Sequence, residues 1–232
     1  MSSNVFALTL LLVCLSIPAS AQEFLEPFRQ EFKMTLGGFK VSSVRTLSQL
    51  EDGNYELQLR AKNMIARYEE KSIFILDDND QILPLQHSVS SKVFGISRHQ
   101  KTLFDWDEKK ATYTKKDTTR TVDIETGLLD RALYQLLIPR DLTAGITEPS
   151  YDFVDRGRIK NYTFGVLDEE QVELADDRVL AVKLKRIQED ADKETLIWFA
   201  PEHGYELVKI AHTEEGGSDY HMVLKGEFED RK

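Results

Sequence analysis

Apolar and polar residues alternate along most of this chain. In NYELQLRA, polar side chains separate four apolar residues of one parity, Tyr55, Leu57, Leu59 and Ala61. FRQEFKMTL and VLAVKLKRI repeat the pattern. In FRQEFKMTL, Gln30 is the one polar residue among the alternate positions that are otherwise apolar. A period of two is typical of β-strands with one buried face. The pattern therefore predicts a mainly β protein.

Turn-forming residues interrupt the alternating runs at short intervals, at Gly37-Gly38, Asp52-Gly53, Asp77–Asp80 and Gly216-Gly217. Short strands joined by tight turns are typical of antiparallel meanders. The acidic run Asp77–Asp80 lacks the glycine and the terminal glutamate of an EF-hand calcium loop, which favours a turn. We therefore expect one curved antiparallel sheet, a meander that forms an open or half barrel.

One segment, TGLLDRALYQLLIPRDL, departs from the period of two. Its apolar residues recur at helical spacing over Leu129–Leu137, with Leu133 at the centre of the stripe and Arg131 on the other side. Thr126 is placed to cap the first turn, and Pro139 disfavours helical backbone in the residue before it. The segment predicts one short helix packed on the sheet, with Leu133 buried and Arg131 exposed.

The last two strands that the pattern predicts, around LVKIAH and YHMVLK, each contain a histidine. A three-residue loop, Glu214–Gly216, with Gly216 in the left-handed conformation gives a register in which the apolar residues of both strands share one face. In that register Lys209 faces His221 on the polar side, and His212 lies on the apolar side. We therefore expect the two histidines to point to opposite faces, where they cannot share a metal ion.

The N-terminal segment has the features of a secretory signal peptide. An apolar run begins at Val5, and the small-x-small cleavage site Ala19-Ser20-Ala21 follows it, although no basic residue precedes the run. Residues 1–21 are therefore predicted to be removed, which takes away Cys14, the only cysteine. Residues 22–232 remain as a single β-rich domain, and they contain no second apolar segment long enough to cross a membrane.

Charge and side-chain chemistry narrow the classes of partner and reaction. The formal net charge of −10 argues against nucleic acids and anionic membrane surfaces as partners. The histidines have no metal-ligand spacing, no serine lies in a nucleophile elbow, and no thiol remains after cleavage. The sequence therefore indicates a protein that is not an enzyme and that carries no metal or cofactor.

Several segments of the chain resemble a known family. They include GLLDRALYQLLIPRDL, YDFVDRGRIKNYTFGVL and IWFAPEHGYELVKIAH, of which the last is the most specific. On these segments the chain resembles the bacterial exported family called domain of unknown function 3108, over nearly all of residues 22–232. The resemblance implies a periplasmic, mainly antiparallel β protein without established catalytic residues. It also implies, more loosely, a curved sheet around a helix, similar to periplasmic lipoprotein carriers.

Three functional hypotheses stay open at this point. The first is a non-enzymatic protein that binds or carries an apolar ligand, such as a lipid or an acyl chain, in the concave face of the sheet. Its predicted lining is aromatic, although each residue would also fit a solid core: Phe74, Trp106, Tyr134 and Trp198. The second is an envelope structural or interaction protein that acts through its surface. The third, an unrecognised hydrolase, has no nucleophile or metal motif to support it.

Overall fold

The computed structural model describes residues 25–36, 38–174, 177–187, 192–216, 219–226 and 228. The predicted signal peptide and Cys14 lie outside the described residues. The strands are β1 (Phe28–Leu36), β2 (Phe39–Gln49), β3 (Tyr55–Lys62), β4 (Ala66–Leu76), β5 (Ile82–Val93), β6 (Ile96–Asp105), β7 (Lys110–Lys115), β8 (Thr118–Asp123), β9 (Leu129–Asp130), β10 (Ser150–Asp155), β11 (Arg158–Glu173), β12 (Arg178–Ile187), β13 (Lys193–Ala200), β14 (Glu206–Glu214) and β15 (Tyr220–Lys225). One α-helix, α1 (Tyr134–Thr143), and a 3₁₀ turn at Pro201–His203 complete the elements. No helix in these ranges is long and apolar enough to cross a membrane.

All fifteen strands belong to one sheet. β1 pairs with β2 on one side and with β15 on the other. From there the strands follow in chain order to β8 at one edge, and in reverse chain order to β9 at the other edge. The described strand pairs are antiparallel except β9 with β10, which run parallel. The predicted fold class, a curved antiparallel sheet with one short helix, is confirmed.

Curvature brings the two edges of the sheet close together without pairing them. Ser72 of β4 donates a hydrogen bond of 3.0 Å to Asp130 of β9. The β10–β11 turn lies against β8, where Arg120 Nη1 is 3.4 Å from the carbonyl oxygen of Arg156. Gly157 in this turn has a φ of +72°, and a Cβ there would lie 2.6 Å from the Cβ of Arg120. Only glycine fits such an approach. No pairing joins β8 to β9 in the described strands, so the sheet stays unclosed.

The inner, concave face of the sheet is filled by α1 and by side chains from both halves of the sheet. One apolar core extends over the helix and over the inner face of most strands. Leu133 is fully buried, as predicted. Several large side chains share this burial, among them Phe32, Phe74, Ile138, Phe153, Phe164 and Leu184. Burial of this apolar surface is the main stabilising contribution that the fold shows.

The helix prediction is correct in kind but wrong in its limits. α1 begins at Tyr134 and not near Thr126. The first turn of the predicted helix is not helical, because Leu129 and Asp130 form β9, which pairs in parallel with β10. Asp130, at the end of β9, then accepts a hydrogen bond of 2.9 Å from the backbone N–H of Ala132. Pro139 lies inside α1, where it removes one N–H donor but does not end the helix.

The β14–β15 hairpin has the predicted facing. His212 lies opposite Tyr220 on the inner face, and His221 points to the outer face. The two histidines therefore lie on opposite sides of the sheet, as predicted. The predicted register is wrong by two residues, since Lys209 lies opposite Val223 and not opposite His221. A shift of two residues keeps every side chain on its own face, which is why the facing survives the error.

The loop of this hairpin is wider than the predicted Glu214–Gly216. The carboxylate of Asp219 accepts a hydrogen bond of 3.0 Å from the backbone N–H of Glu214, and this contact spans the loop. Gly216 has the predicted left-handed conformation, with a φ of 69°. Residues 217 and 218 lie outside the described residues.

Because consecutive strands run antiparallel, the turns alternate between two ends of the sheet. The upper end carries the turns that follow β1, β3, β5, β7 and β10, and the lower end carries those that follow β2, β4, β6 and β13. The predicted turn at Asp77–Asp80 is confirmed, since the Asp77 carboxylate accepts the backbone N–H groups of Asn79 and Gln81 at 2.9 and 2.8 Å. Acidic residues are frequent in the lower turns: Glu51, Asp52, Asp77, Asp78, Asp80, Asp107, Glu108 and Glu202.

Candidate functional site

Two of the four predicted lining residues lie in separate parts of the core. Phe74 is fully buried and stacks on Tyr55, with the ring centroids 5.5 Å apart. Trp106 packs beside Phe104 in a smaller apolar cluster, and its indole N–H donates a hydrogen bond of 2.8 Å to the carbonyl oxygen of Pro84. These contacts are those of packed core residues.

The other two predicted residues lie on opposite faces of the sheet. Tyr134 occupies the centre of an inner-face aromatic cluster with Tyr151, Phe153, Tyr162 and Phe164. Trp198 belongs to the outer face, where Lys183 and Lys209 are its direct cross-strand neighbours. The Nζ atom of Lys209 lies 4.1 Å from the centre of the Trp198 ring, and the indole N–H donates to Glu170 over 2.7 Å. The structure therefore does not bring the four residues together around one cavity.

A cluster of charged side chains is buried on the inner face, against β4 and β5. Its centre is Glu70, whose Oε1 lies 2.9 Å from His87 Nε2 and 3.1 Å from Arg131 Nε. The Tyr68 hydroxyl donates a hydrogen bond of 2.9 Å to the other carboxylate oxygen. Arg131 thus contacts the buried ionic cluster, and the prediction that it lies on an exposed helix face is wrong. The cause is the strand β9, which folds the residues after it back over β4.

Asp130 extends the buried ionic cluster towards α1. Its side chain is fully buried, and Oδ1 accepts hydrogen bonds from the Ser72 hydroxyl at 3.0 Å and from the backbone N–H of Ala132 at 2.9 Å. Oδ2 has no hydrogen-bond partner among the described residues. The carboxylate is therefore held mainly through one oxygen, close to the start of the helix.

Electrostatic coupling shifts the pKa values within the cluster. Burial alone would raise the pKa of Glu70, but its two cationic partners and the Tyr68 hydroxyl together lower it to about 2. Burial opposes protonation of His87, but attraction to Asp130 and the contact with Glu70 outweigh burial and raise the His87 pKa. Burial raises the pKa of Asp130. Glu70 is therefore ionised across the physiological range of pH.

The cluster connects distant strands. Both carboxylate oxygens of Glu70 are taken up by partners in the chain, and Arg131 also lies 3.9 Å from Asp155 of β10. A general acid or base must reach its substrate, whereas Glu70 and His87 are enclosed between the sheet and the segment after β9. Within the described ranges, no group of three or more His, Cys, Asp and Glu side chains could hold a metal ion. The contacts are those of a structural link from β4 and β5 to the segment after β9 and to β10.

Sequence reasoning missed this cluster, although a signal was present. In ARYEEKSIFIL, Tyr68, Glu70 and Ser72 occupy the same parity as the buried Phe74. Polar side chains on the core side of a strand need partners there, so the strand indicated a buried polar site. Its partners, His87 and Arg131, come from other elements, and no local spacing identifies them.

Three depressions lie on the outer face, over β15 and β1 to β6. Their volumes are about 870, 420 and 240 Å³. Lys62 lines all three, and the three depressions together are named the outer groove. Basic residues outnumber acidic ones along it. The basic residues are Arg29, Lys33, Lys40, Arg60, Lys62, Arg67, Lys92 and Lys225, and the acidic residues are Glu31, Glu69 and Glu173.

Three of these cations form a basic row across the sheet. Lys62, Arg67 and Lys92 lie directly opposite one another on β3, β4 and β5. Like charges in directly opposed positions destabilise a sheet. Glu69, the carboxylate that lines the same depression, is paired with Arg60 at 3.6 Å. Over the described part of the chain, no carboxylate lies within ion-pair distance of the basic row. The positive charge of the basic row is therefore not compensated by a carboxylate of the described residues.

Five apolar side chains, the apolar tips, project from the two turns beside the basic row. Met64 and Ile65 form the β3–β4 turn, and Val93, Phe94 and Ile96 surround the β5–β6 turn. Met64 is fully exposed, and Phe94 and Ile96 are 74% and 65% exposed. The backbone N–H of Phe94 donates a hydrogen bond of 3.1 Å to the carbonyl oxygen of Ile65, which joins the two turns. The apolar tips are therefore one exposed apolar surface at the upper end.

Comparisons with known proteins bear on the fold and on the family. A similar solved structure is the crystal structure of a beta-barrel-like protein of domain of unknown function DUF1849 from Brucella abortus, at 12% sequence identity and a TM-score of 0.53. The alignment covers 86% of this chain and 96% of that chain, and at this identity the likeness shows the fold alone. No curated protein matches the chain. The profile of the family described as protein of unknown function (DUF3108) matches residues 31–225. Because that match spans most of the chain, the chain belongs to the DUF3108 family, as the resemblance implied.

Proposed function

We propose that this protein is a non-enzymatic, exported protein of the cell envelope that acts through its outer face. The observation that carries the proposal is the basic row, whose three cations oppose one another without a carboxylate partner in the described residues. The arrangement costs the fold stability, and an anionic partner would remove that cost. A family of unknown function and a beta-barrel-like fold fit a non-enzymatic protein.

The filled inner face supports an outer-face function over an interior binding site. A ligand site is a cleft or cavity that is largely formed before the ligand arrives. Here α1 and the aromatic cluster around Tyr134 occupy the inner face. A carrier of an apolar ligand is the second candidate, and it requires α1 to move away from the sheet.

Export to the periplasm rests on residues 1–21, which lie outside the described residues. The apolar run and the Ala19-Ser20-Ala21 site support cleavage before Gln22. N-terminal sequencing of the protein from a periplasmic fraction tests this, and we expect Gln22 as the first residue. A protein that retains Met1 in the envelope fraction would contradict the proposed export.

Native mass spectrometry of protein purified from a periplasmic extract separates the two candidates. An outer-face protein is expected to show the mass of the bare chain, whereas an apolar-ligand carrier is expected to show an additional lipid mass. The matched control is the variant Lys62→Gln, Arg67→Gln, Lys92→Gln, which removes the basic row and leaves the inner face unchanged. A lipid mass that persists in this variant would place the ligand in the interior and contradict the outer-face proposal.

A further inference from the structure

We infer that the apolar tips and the basic row together form a docking surface for an anionic lipid bilayer. The inference rests on the proposed outer-face function and names the partner of that face. Two different properties of the same two hairpins support it, the exposure of apolar side chains and an uncompensated positive charge.

Charges flank the apolar side chains in both hairpins. Lys62 and Arg67 lie on either side of the β3–β4 turn, and Lys92 precedes the β5–β6 turn on the same face of the sheet. Elements that bind at a membrane surface have this arrangement, because apolar side chains enter the boundary between head groups and acyl chains while cations meet the phosphates. The backbone hydrogen bond between the two turns holds both sets of side chains at the same end of the sheet.

The outer groove offers a place for a lipid phosphate behind the apolar tips. The side chains of Arg60, Lys62, Arg67, Lys92 and Ser97 line the depression of about 420 Å³ on the outer face, together with the carboxylate of Glu69. Phosphate oxygens are strong acceptors, and hydrogen bonds from charged donors to them are stronger than neutral ones. A head group in this depression would separate the directly opposed cations of the basic row and remove their repulsion.

The exposed apolar side chains favour a bilayer over a soluble polyanion. Binding to a polyanion depends on cations and on the release of counterions, and it gains nothing from Met64 or Phe94 in water. A bilayer is the partner that buries these side chains and neutralises the cations at the same time.

The net charge of −10 does not oppose this docking surface, because many of the carboxylates lie at the other end. The strands β3 and β5 have 8 and 12 residues, so at about 3.3 Å per residue the two ends are roughly 25–40 Å apart. The Debye length is about 8 Å at physiological ionic strength, so the lower turns are screened from a surface at the upper end. The net charge of the whole chain therefore does not decide whether the upper end can bind an anionic membrane.

Co-sedimentation with lipid vesicles tests the inference on the protein purified from a periplasmic extract. The probes are phosphatidylcholine vesicles with and without phosphatidylglycerol, each at low and at high salt. The apolar contribution is tested with Ile96→Ser, whose matched control is Ile146→Ser, an exposed isoleucine after α1. The charge contribution is tested with Lys92→Glu, whose matched control is Lys110→Glu at the lower end.

We expect the protein to sediment with phosphatidylglycerol vesicles and to be released by high salt. Ile96→Ser and Lys92→Glu should each weaken binding by about fivefold to tenfold, and the two controls should bind as the wild type does. Thermal unfolding checks that every variant is folded. Where Ile96→Ser is not, Met64→Ser takes its place, because Met64 makes no buried contact.

Failure to bind phosphatidylglycerol vesicles, or equal losses in test and control variants, would overturn the inference. Binding that falls with salt and with Lys92→Glu but not with Ile96→Ser would also overturn it, in favour of a soluble polyanion. In each of these cases the outer-face function still stands unless native mass spectrometry finds a lipid in the interior.

Discussion

The buried ionic cluster and the basic row are both built on β4 and β5, but on opposite faces and with opposite electrostatics. On the inner face, Glu70 lies between His87 and Arg131, at 2.9 and 3.1 Å. On the outer face, Arg67 lies between Lys62 and Lys92, with no carboxylate at ion-pair distance among the described residues. The buried ionic cluster links distant strands, whereas the repulsion within the basic row destabilises the sheet. The difference indicates that the inner charges serve the structure and the outer charges serve a partner.

Removal of the central carboxylate should have the largest effect. Glu70→Ala leaves His87 and Arg131 without their shared anion in a buried site, and it should lower the free energy of unfolding by about 3–5 kcal/mol. Urea unfolding measures this. The matched control is Glu69→Ala, the next residue along β4, which faces outward and pairs with the exposed Arg60. It should cost less than about 0.5 kcal/mol, and equal losses in the two variants would contradict the distinction between the faces.

The close approach of the two sheet edges on the inner face can be tested at Gly157. Gly157→Ala combines a left-handed φ of +72° with a Cβ only 2.6 Å from that of Arg120, so it should lower the free energy of unfolding by about 2–4 kcal/mol. Gly216→Ala is the control, since it has a left-handed φ but nothing within 4 Å, and it should cost about 1 kcal/mol. Similar values in a thermal or urea melt would mean that the edges do not meet at this turn.

The pH dependence of stability sharpens the comparison further. The pKa of His87 is raised above its ordinary value of 6.5, so its protonated form stabilises the fold fully below that pH, and the contribution is lost as pH rises through the folded value. Glu70, with a pKa of about 2, stays ionised throughout. As the pH rises above 6.5, the wild type should therefore lose stability relative to His87→Gln. Parallel curves of unfolding free energy against pH would show that His87 does not carry the charge.

Much of the fold could be predicted from local pattern. The alternation in β1 and β3 predicted the strands and their buried parity, because the facing of a half-buried strand follows from its own residues. In β12 the strand was predicted, but residues of both parities are buried, among them Ala181 and Val182. Gln30, the exception in β1, is explained by long-range contacts, since its amide donates to Glu206 over 2.9 Å and accepts from Arg45 over 3.1 Å. Polar residues on a core parity were thus the clearest indication of buried polar contacts.

The features that escaped prediction depend on pairing between distant segments. The helix limits were wrong because β9 joins β10, a parallel contact that local periodicity does not report. The basic row requires the register of three strands, and Lys62 and Lys92 become neighbours of Arg67 only in that register. For the same reason, aromatic residues such as Tyr134 and Trp198 could not be assigned to faces that turned out to be opposite.

The most direct test of the central claim is the stability of a protein without the basic row. Replacing Lys62, Arg67 and Lys92 together by glutamine removes the opposed charges and keeps the length of the side chains. Because the fold gains nothing from these charges, the free energy of unfolding in urea should stay the same or rise by about 0.5 kcal/mol. Lys185→Gln, which breaks the exposed pair with Glu194, is the control and should cost less than about 0.5 kcal/mol. A loss of more than about 1 kcal/mol in the triple variant would show that the basic row stabilises the fold and would contradict the account.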